Sequence, residues 1–226
     1  MTFSIVARIE DARMFGIAIA SSSPAVAARC VHARAGVGAV ATQSLTDPAL
    51  GPRILDALER GVEAAAALDR AVRATPFGAY RQLAVIGRHG VPVVHSGAQT
   101  LGTASAACGT HAAAAGNLLA RAEVPAAMVG GFERATGHIG ARLLCALRAG
   151  LEAGGEVTPV HSAGLLIVRE LSWPIVDLRV DWSDADPVAE LASIWDRYAP
   201  QIEDYVQRAQ DPATAPGFQV PGDGAT

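Results

Sequence analysis

Three runs of alternating apolar and polar or small residues occupy the first 45 positions, at residues 2–8, 15–21 and 36–43. A period of two with β-branched residues is typical of strands that bury one face. The polar segment at residues 10–13 predicts a hairpin between the first two strands. The chain is therefore expected to open with β-structure.

After residue 46 the apolar spacing changes to that of a helix. Thr46 and Asp47 are suited to cap a helix, and Pro48 to its first turn. The pattern predicts one helix ending near Gly61 and a second over residues 62–74.

The same order of strands and paired helices then repeats. Residues 97–122 are rich in Gly and Ala and favour no element. Around them the pattern predicts strands at 82–87, 91–96, 163–169 and 175–180, and helices at 124–136, 139–153 and from Asp186 to about Val206. From Asp211 onward the composition favours a disordered tail.

Helices that arrive in consecutive pairs do not match a doubly wound sheet, in which single strands and helices alternate. They match an α+β fold with two stacked, mainly antiparallel sheets, each covered on its outer face by a helix pair. The sequence thus predicts a four-layer αββα sandwich, as a single domain over residues 1–210 with a disordered tail over 211–226.

Composition excludes several classes of protein. No apolar run reaches the roughly 18 residues of a membrane helix, and no secretory signal is recognisable. Three cysteines and a net charge of −4 without a basic cluster indicate a cytoplasmic protein that binds neither nucleic acid nor membrane.

All 18 basic residues are arginine. The absence of lysine excludes Schiff-base chemistry on lysine, a pyridoxal-phosphate anchor and a P-loop. The six histidines show no metal-ligand spacing with one another or with cysteine, so we expect neither a metal nor a cofactor.

Thr2 follows Met1 directly and leads into the first strand. Threonine is small enough to allow methionine removal, which would leave Thr2 with the α-amine of the chain. Amine and hydroxyl could then act together as base and nucleophile. The alternative is that Thr2 simply starts a strand.

Several sequence blocks resemble the family known as domain of unknown function 1028, a bacterial family placed among the N-terminal-nucleophile hydrolases. The similarity spans roughly residues 1–195 and is carried by residues 1–8, 33–43, 116–119, 162–166 and 176–181. The resemblance implies the αββα sandwich, with Thr2 as nucleophile by position and amide hydrolysis as the chemistry. The family itself has no settled activity.

The resemblance also implies a donor for the oxyanion of the tetrahedral intermediate. Asn117, beside Gly116, is the candidate. Three features depart from the expected pattern: no lysine can tune the amine, alanines occupy residues 112–115, and Asp47 replaces an expected asparagine.

Polar residues at predicted strand ends are candidates for the remaining site. Ser21 and Ser22 end the second strand at the same sheet edge as Thr2, where they could steady the amine or form a polar turn. Thr42, Gln43 and Ser44 end the third strand and are expected to line a pocket.

Charged candidates near these segments are less specific. Arg29, Arg34 or Arg53 could bind a substrate carboxylate or lie in solvent, and we favour Arg53 together with Asp47. His161, just before a strand, is a pocket residue or a strand-edge histidine.

The leading hypothesis is a metal-free, cofactor-free hydrolase of a small amide or related C–N bond that uses Thr2. Two alternatives stay open. One is a hydrolytic deaminase of an unsaturated amino acid that does not use Thr2, and the other is a non-catalytic small-acid-binding or assembly protein. We expect a small-molecule substrate and a homo-oligomer, dimeric or larger.

Overall fold

The alternating apolar runs form two antiparallel sheets in a computed structural model that describes residues 2–9 and 14–217. The strands are β1 (Thr2–Ile9), β2 (Met14–Ser21), β3 (Val31–Arg34), β4 (Gly38–Ser44), β5 (Arg81–Gly87), β6 (Val93–Ser96), β7 (Ser105–Cys108), β8 (Ala112–Asn117), β9 (Ser162–Val168) and β10 (Val176–Val180). The larger sheet has the order β10-β9-β2-β1-β8-β7, and the smaller has the order β3-β4-β5-β6.

Helices flank the two sheets and, apart from the short first one, which packs on Ile19, cover their outer faces. They are α1 (Ala27–Cys30), α2 (Leu50–Glu59), α3 (Ala64–Arg73), α4 (Val124–Arg134), α5 (Ile139–Glu152), α6 (Pro187–Tyr198) and α7 (Ile202–Gln210). Helices α2 and α3 pack on the smaller sheet, and α4, α5 and α6 pack on the larger. The predicted four-layer αββα sandwich is confirmed.

Alanines and larger apolar side chains together fill the layer between the two sheets. Ala39 and Ala41 of the smaller sheet meet Ala113 and Ala115 of the larger one, together with Val6, Phe15, Ile17 and Ile86. Ala112 and Ala114, on the opposite face of β8, pack under α4. Strand β8 is therefore buried on both faces, which explains why its sequence is apolar without alternation.

Several element boundaries differ from the predicted ones. Helix α1 and strand β3 precede β4, whereas the pattern gave no element there. Helix α2 begins at Leu50, and the Asp47 carboxylate accepts a hydrogen bond from the Ala49 N–H just before it, so Asp47 forms a turn and does not cap the helix. The predicted final helix is interrupted by a 3₁₀ turn at Ala199–Gln201.

Two predictions fall wholly or partly on residues that are not described. The turn at residues 10–13 lies outside the described residues. Of the predicted tail, residues 211–217 are described, and the Arg208 guanidinium donates hydrogen bonds to the carbonyls of Pro216 and Gly217. Residues 218–226 lie outside the description.

Within residues 2–9 and 14–217, no helix combines the length and apolar character needed to cross a bilayer.

Candidate active site around Thr2

Thr2 lies at a sheet edge where several strands begin or end. It starts β1, which runs in the larger sheet between β2 and β8, and it pairs with Asn117 at the end of β8. Phe3 pairs with Ala20, and Ser21 pairs with Ser162 at the start of β9. The antiparallel topology therefore gathers polar strand ends around the first described residue.

The Thr2 side chain is held inside the protein. Only 5% of the residue is exposed, and its hydroxyl donates to Ser21 Oγ at 3.3 Å. The Ser21 oxygen also accepts a hydrogen bond from the Ser23 N–H at 3.0 Å. The Thr2 hydroxyl thus has a defined direction before any substrate binds.

Two side-chain amides donate hydrogen bonds to the Thr2 carbonyl. Asn117 Nδ2 donates to it at 3.4 Å, and Gln43 Nε2 at 3.5 Å. Asn117 Nδ2 also donates to Gln82 Oε1 at 3.1 Å, and Asn117 Oδ1 is buried without a partner among the described residues. The Asn117 amide nitrogen therefore contacts the Thr2 backbone and not the cavity above it.

Gln43 and Gln82 connect the two sheets beneath Thr2. Gln43 accepts from Ser4 at 2.6 Å and donates to Gln82 at 2.8 Å, while Gln82 donates to the Gly116 carbonyl at 2.9 Å. All of these groups are buried. A satisfied polar network of this kind fixes the relative position of the two sheets at the site.

A cavity of about 310 Å³ opens beside Thr2. Its lining residues are Thr2, Ser23, Arg29, Cys30, Ser44, Leu45, Thr46, Pro48 and Arg81. Larger depressions of about 490 and 500 Å³ lie elsewhere, and neither includes Thr2. The smaller cavity is the relevant one because it contains the candidate nucleophile.

The loop after β4 has a strained start. Ser44 adopts a left-handed conformation with φ of 69°, which is uncommon outside glycine and clusters at functional sites. The next backbone N–H groups, of Leu45 and Thr46, donate to no other described residue. Two unused donors therefore belong to residues that line the cavity.

Two arginines contribute positive charge to the cavity wall. Arg29 Nη1 donates to the carbonyls of Pro24 at 2.7 Å and Ala25 at 3.1 Å. Arg81 Nη1 donates to the Leu45 carbonyl, and Arg81 Nε is buried without a partner among the described residues. Neither guanidinium lies within 4 Å of a described carboxylate.

A buried carboxylate lies next to the end of β2. Glu156 is 6% exposed, and its two oxygens accept from the Ser22 N–H at 3.2 and 3.3 Å. Burial raises the pKa of Glu156 to about 7, although the hydrogen bonds from Ser22 and the charge of His161 oppose that rise. At neutral pH this carboxyl group can therefore exist in either protonation state.

His161 is fixed on the same side of the site. The backbone N–H of His161 donates to the Ser21 carbonyl at 2.8 Å. The imidazole ring stacks on the Trp182 ring, with 4.3 Å between the ring centroids. Because the Ser183 carbonyl can only accept, the contact at 2.8 Å assigns the ring proton to Nδ1 of His161.

The structure brings together some of the sequence-predicted residues and separates others. Thr2 and Ser44 line the cavity, and Ser21, Gln43 and Asn117 contact Thr2. Thr42 is buried, with its hydroxyl donating to the Asp47 carbonyl at 3.4 Å. The Ser22 hydroxyl is buried without a described partner, and Asp47 and the exposed Arg53 lie outside the cavity lining. Their substrate-binding roles stay predictions.

Sequence reasoning missed three residues of this region: Arg81, Gln82 and Glu156. Arg81 and Gln82 start β5 directly after Tyr80, so a polar pair at a strand start was their only signal. Glu156 had none, because a single acidic residue after two glycines is typical of a surface turn. The described part of the chain does not bring together three His, Cys, Asp or Glu side chains that could hold a metal ion.

Comparison with known proteins places the chain in a family. The model of the family of unknown function DUF1028 matches residues 2–191. The crystal structure of protein SPO2555 from Silicibacter pomeroyi, itself assigned to DUF1028, is 25% identical and has a TM-score of 0.84. The match covers 92% of this chain and 90% of that one.

Two further solved structures are more distant. HslV from Trypanosoma brucei is 8% identical with a TM-score of 0.46, over 74% of this chain and 99% of that one. Anbu, the ancestral beta-subunit, from Yersinia bercovieri is 14% identical with a TM-score of 0.40, over 96% of this chain and 100% of that one. No curated protein matches significantly. With the family model matching residues 2–191, the chain belongs to the family of unknown function DUF1028.

Proposed function

We propose that this protein hydrolyses a small amide or a related C–N bond, with Thr2 as its N-terminal nucleophile. One observation carries the proposal: the residue that methionine removal would expose is the residue whose hydroxyl is aligned at the cavity by Ser21. A threonine that only started a strand would need neither the cavity nor the alignment.

The proposed reaction consumes one water for each amide. The α-amine of Thr2 takes the hydroxyl proton while Oγ1 attacks the substrate carbonyl carbon, giving a tetrahedral oxyanion. The C–N bond then breaks as the ammonium returns the proton to the leaving nitrogen. Water attacks the resulting Thr2 ester in the same way, releasing the acid and restoring Thr2.

The surrounding residues divide the supporting roles. Ser21 orients the nucleophile, and Asn117 and Gln43 hold the Thr2 carbonyl. We assign the oxyanion to the unused N–H groups of Leu45 and Thr46, because the Asn117 amide nitrogen already binds Thr2 and Gln82. Preorganised donors of this kind are worth about 10²–10³ in rate. In a chain without lysine, the Ser21 hydroxyl is the described side chain that contacts the Thr2 hydroxyl directly.

Two measurements on the purified protein test the proposal together. Intact mass is expected to show a chain beginning at Thr2. In a screen of small amides, Thr2→Ala is expected to lose turnover by a factor of about 10³ or more, while Thr2→Ser keeps a measurable rate because it retains hydroxyl and amine.

Full activity in Thr2→Ala would refute the mechanism and favour a hydrolytic deaminase that uses other groups of the cavity. Activity in a chain that retains Met1 would refute it as well, since the Thr2 amine would be blocked. Homo-oligomer assembly and a cytoplasmic location also stay predictions.

A further inference from the structure

We propose that Arg29 and Arg81 bind a carboxylate of the substrate, so that the site takes small N-acyl or N-carbamoyl amino acids. The inference deepens the proposed function and relies on it only for which bond is hydrolysed. The carboxylate itself is argued from the charge, the hydrogen bonding and the size of the cavity beside Thr2.

The cavity wall has positive charge without compensation. Arg29 and Arg81 are its only charged lining residues among those described, and neither has a carboxylate within 4 Å. Several other described arginines, such as Arg53 and Arg70, also lack a carboxylate partner, but they are exposed and do not line this cavity. Because Arg29 and Arg81 line the same cavity as Thr2, a ligand in that cavity is expected to supply the anionic partner.

Both guanidinium groups are held in place while donors remain unused. Arg29 is fixed through Nη1 by the Pro24 and Ala25 carbonyls, and Arg81 is fixed through Nη1 by the Leu45 carbonyl. Arg81 Nε is buried and has no partner among the described residues. A fixed planar group with unused N–H donors suits the two oxygens of a carboxylate, and its immobilisation lowers the entropy lost on binding.

The size of the cavity limits the rest of the ligand. At about 310 Å³ it lies at the lower end of ligand cavities, which span roughly 300–1,000 Å³. In an N-acyl or N-carbamoyl α-amino acid, one carbon separates the amide nitrogen from the carboxylate. Such a compound can therefore place its amide at Thr2 and its carboxylate at the arginines within one small cavity.

Binding to the Thr2→Ala variant tests the proposal without turnover. Titration calorimetry would compare N-acetylglycine and N-acetyl-L-alanine with their neutral primary amides, and with inorganic phosphate. We expect each carboxylate to bind at least about tenfold more tightly than its amide, and Arg81→Gln or Arg29→Gln to abolish that preference. Arg70→Gln removes the same charge from an exposed position on α3 and is expected to leave the preference unchanged.

Three outcomes would overturn the proposal: equal affinity for carboxylates and amides, a preference that survives both arginine substitutions, or tighter binding of phosphate than of either carboxylate. Arg81→Lys guards against a folding defect, because it keeps the charge and should retain part of the preference. Arginine-dependent carboxylate binding in a wild-type protein that hydrolyses no amide would refute the proposed function while supporting this inference.

Discussion

Glu156 is a buried acid whose ionisation opposes folding. Burial raises its pKa from 4.5 to about 7, so the folded protein binds this proton more tightly than the unfolded chain does. Between these two values the folded state carries more bound protons, and the free energy of unfolding therefore falls as pH rises. Across the whole window, this group's contribution amounts to about 3 kcal/mol.

Glu156→Gln should remove that pH dependence. The amide keeps the size of the side chain and an oxygen for the Ser22 N–H, but it does not ionise. We expect the variant to gain up to about 3 kcal/mol relative to wild type between about pH 5 and about pH 8, measured by urea denaturation. Glu152→Gln, at an exposed position, is the matched control. An unchanged pH slope in Glu156→Gln would contradict the prediction.

Residues of the candidate site could be predicted from the sequence only where their position along the chain indicates a role, such as the residue after Met1 or a polar residue at a strand end. Thr2 behind Met1, and Ser21 and Ser44 at strand ends, were found in this way. Glu156 lies 134 positions from the Ser22 N–H that it binds, and Gln82 contacts Gly116 only because two sheets stack. Such contacts depend on tertiary packing, which local patterns do not encode.

At the scale of elements, the short helix α1 packs directly against strand β9. A Cβ atom added to Gly164 of β9 would overlap Ala27 Cβ of α1, and the same helix carries Arg29, which lines the cavity. The absence of a side chain at Gly164 therefore allows α1 to pack close to the sheet, and the position of α1 in turn determines where the Arg29 guanidinium lies.

Gly164→Ala should destabilise the fold by about 1–3 kcal/mol, the usual effect of overpacking. Ala27→Gly alone, at the first residue of the four-residue helix α1, should cost at most about 1 kcal/mol. In the double variant the two effects should be less than additive, because Ala27→Gly restores the room that Gly164→Ala removes. Urea denaturation of all four proteins measures the coupling. Strictly additive changes in the free energy of unfolding would show that residues 27 and 164 do not contact each other.

Elements were predictable where side chains contrast in polarity or size. Helices α2 to α5 have apolar stripes at helical spacing, and their predicted ranges match closely. Strand β8 has four consecutive alanines, so its two buried faces are indistinguishable in sequence. Helix α1 and strand β3 each span four residues, which is too short for a period to appear.

At the scale of the whole molecule, polar groups join the two sheets at opposite ends. Gln43 and Gln82 do so beneath Thr2. At the other end Arg8, which is 6% exposed on β1, donates to the carbonyls of Gly87 at 2.7 Å and Gly90 at 2.8 Å. The buried apolar layer between these ends combines alanines with larger side chains such as Phe15 and Ile17, and the polar contacts add directional bonds between the sheets at both ends.

Arg8→Met tests whether the guanidinium stabilises this end. Burying a cation costs free energy, and an apolar replacement can be neutral or better when both partners of an ion pair are removed. Here the partners are backbone carbonyls that remain, and the Gly87 carbonyl belongs to a buried residue that water cannot easily reach. We therefore expect the loss of charge-assisted hydrogen bonds to dominate, lowering the free energy of unfolding by about 1.5–3 kcal/mol. Urea denaturation measures this free energy, and Arg70→Met, at an exposed position, is the control. An Arg8→Met variant at least as stable as wild type would contradict the prediction, because the cost of desolvating the cation would then exceed the gain from its hydrogen bonds.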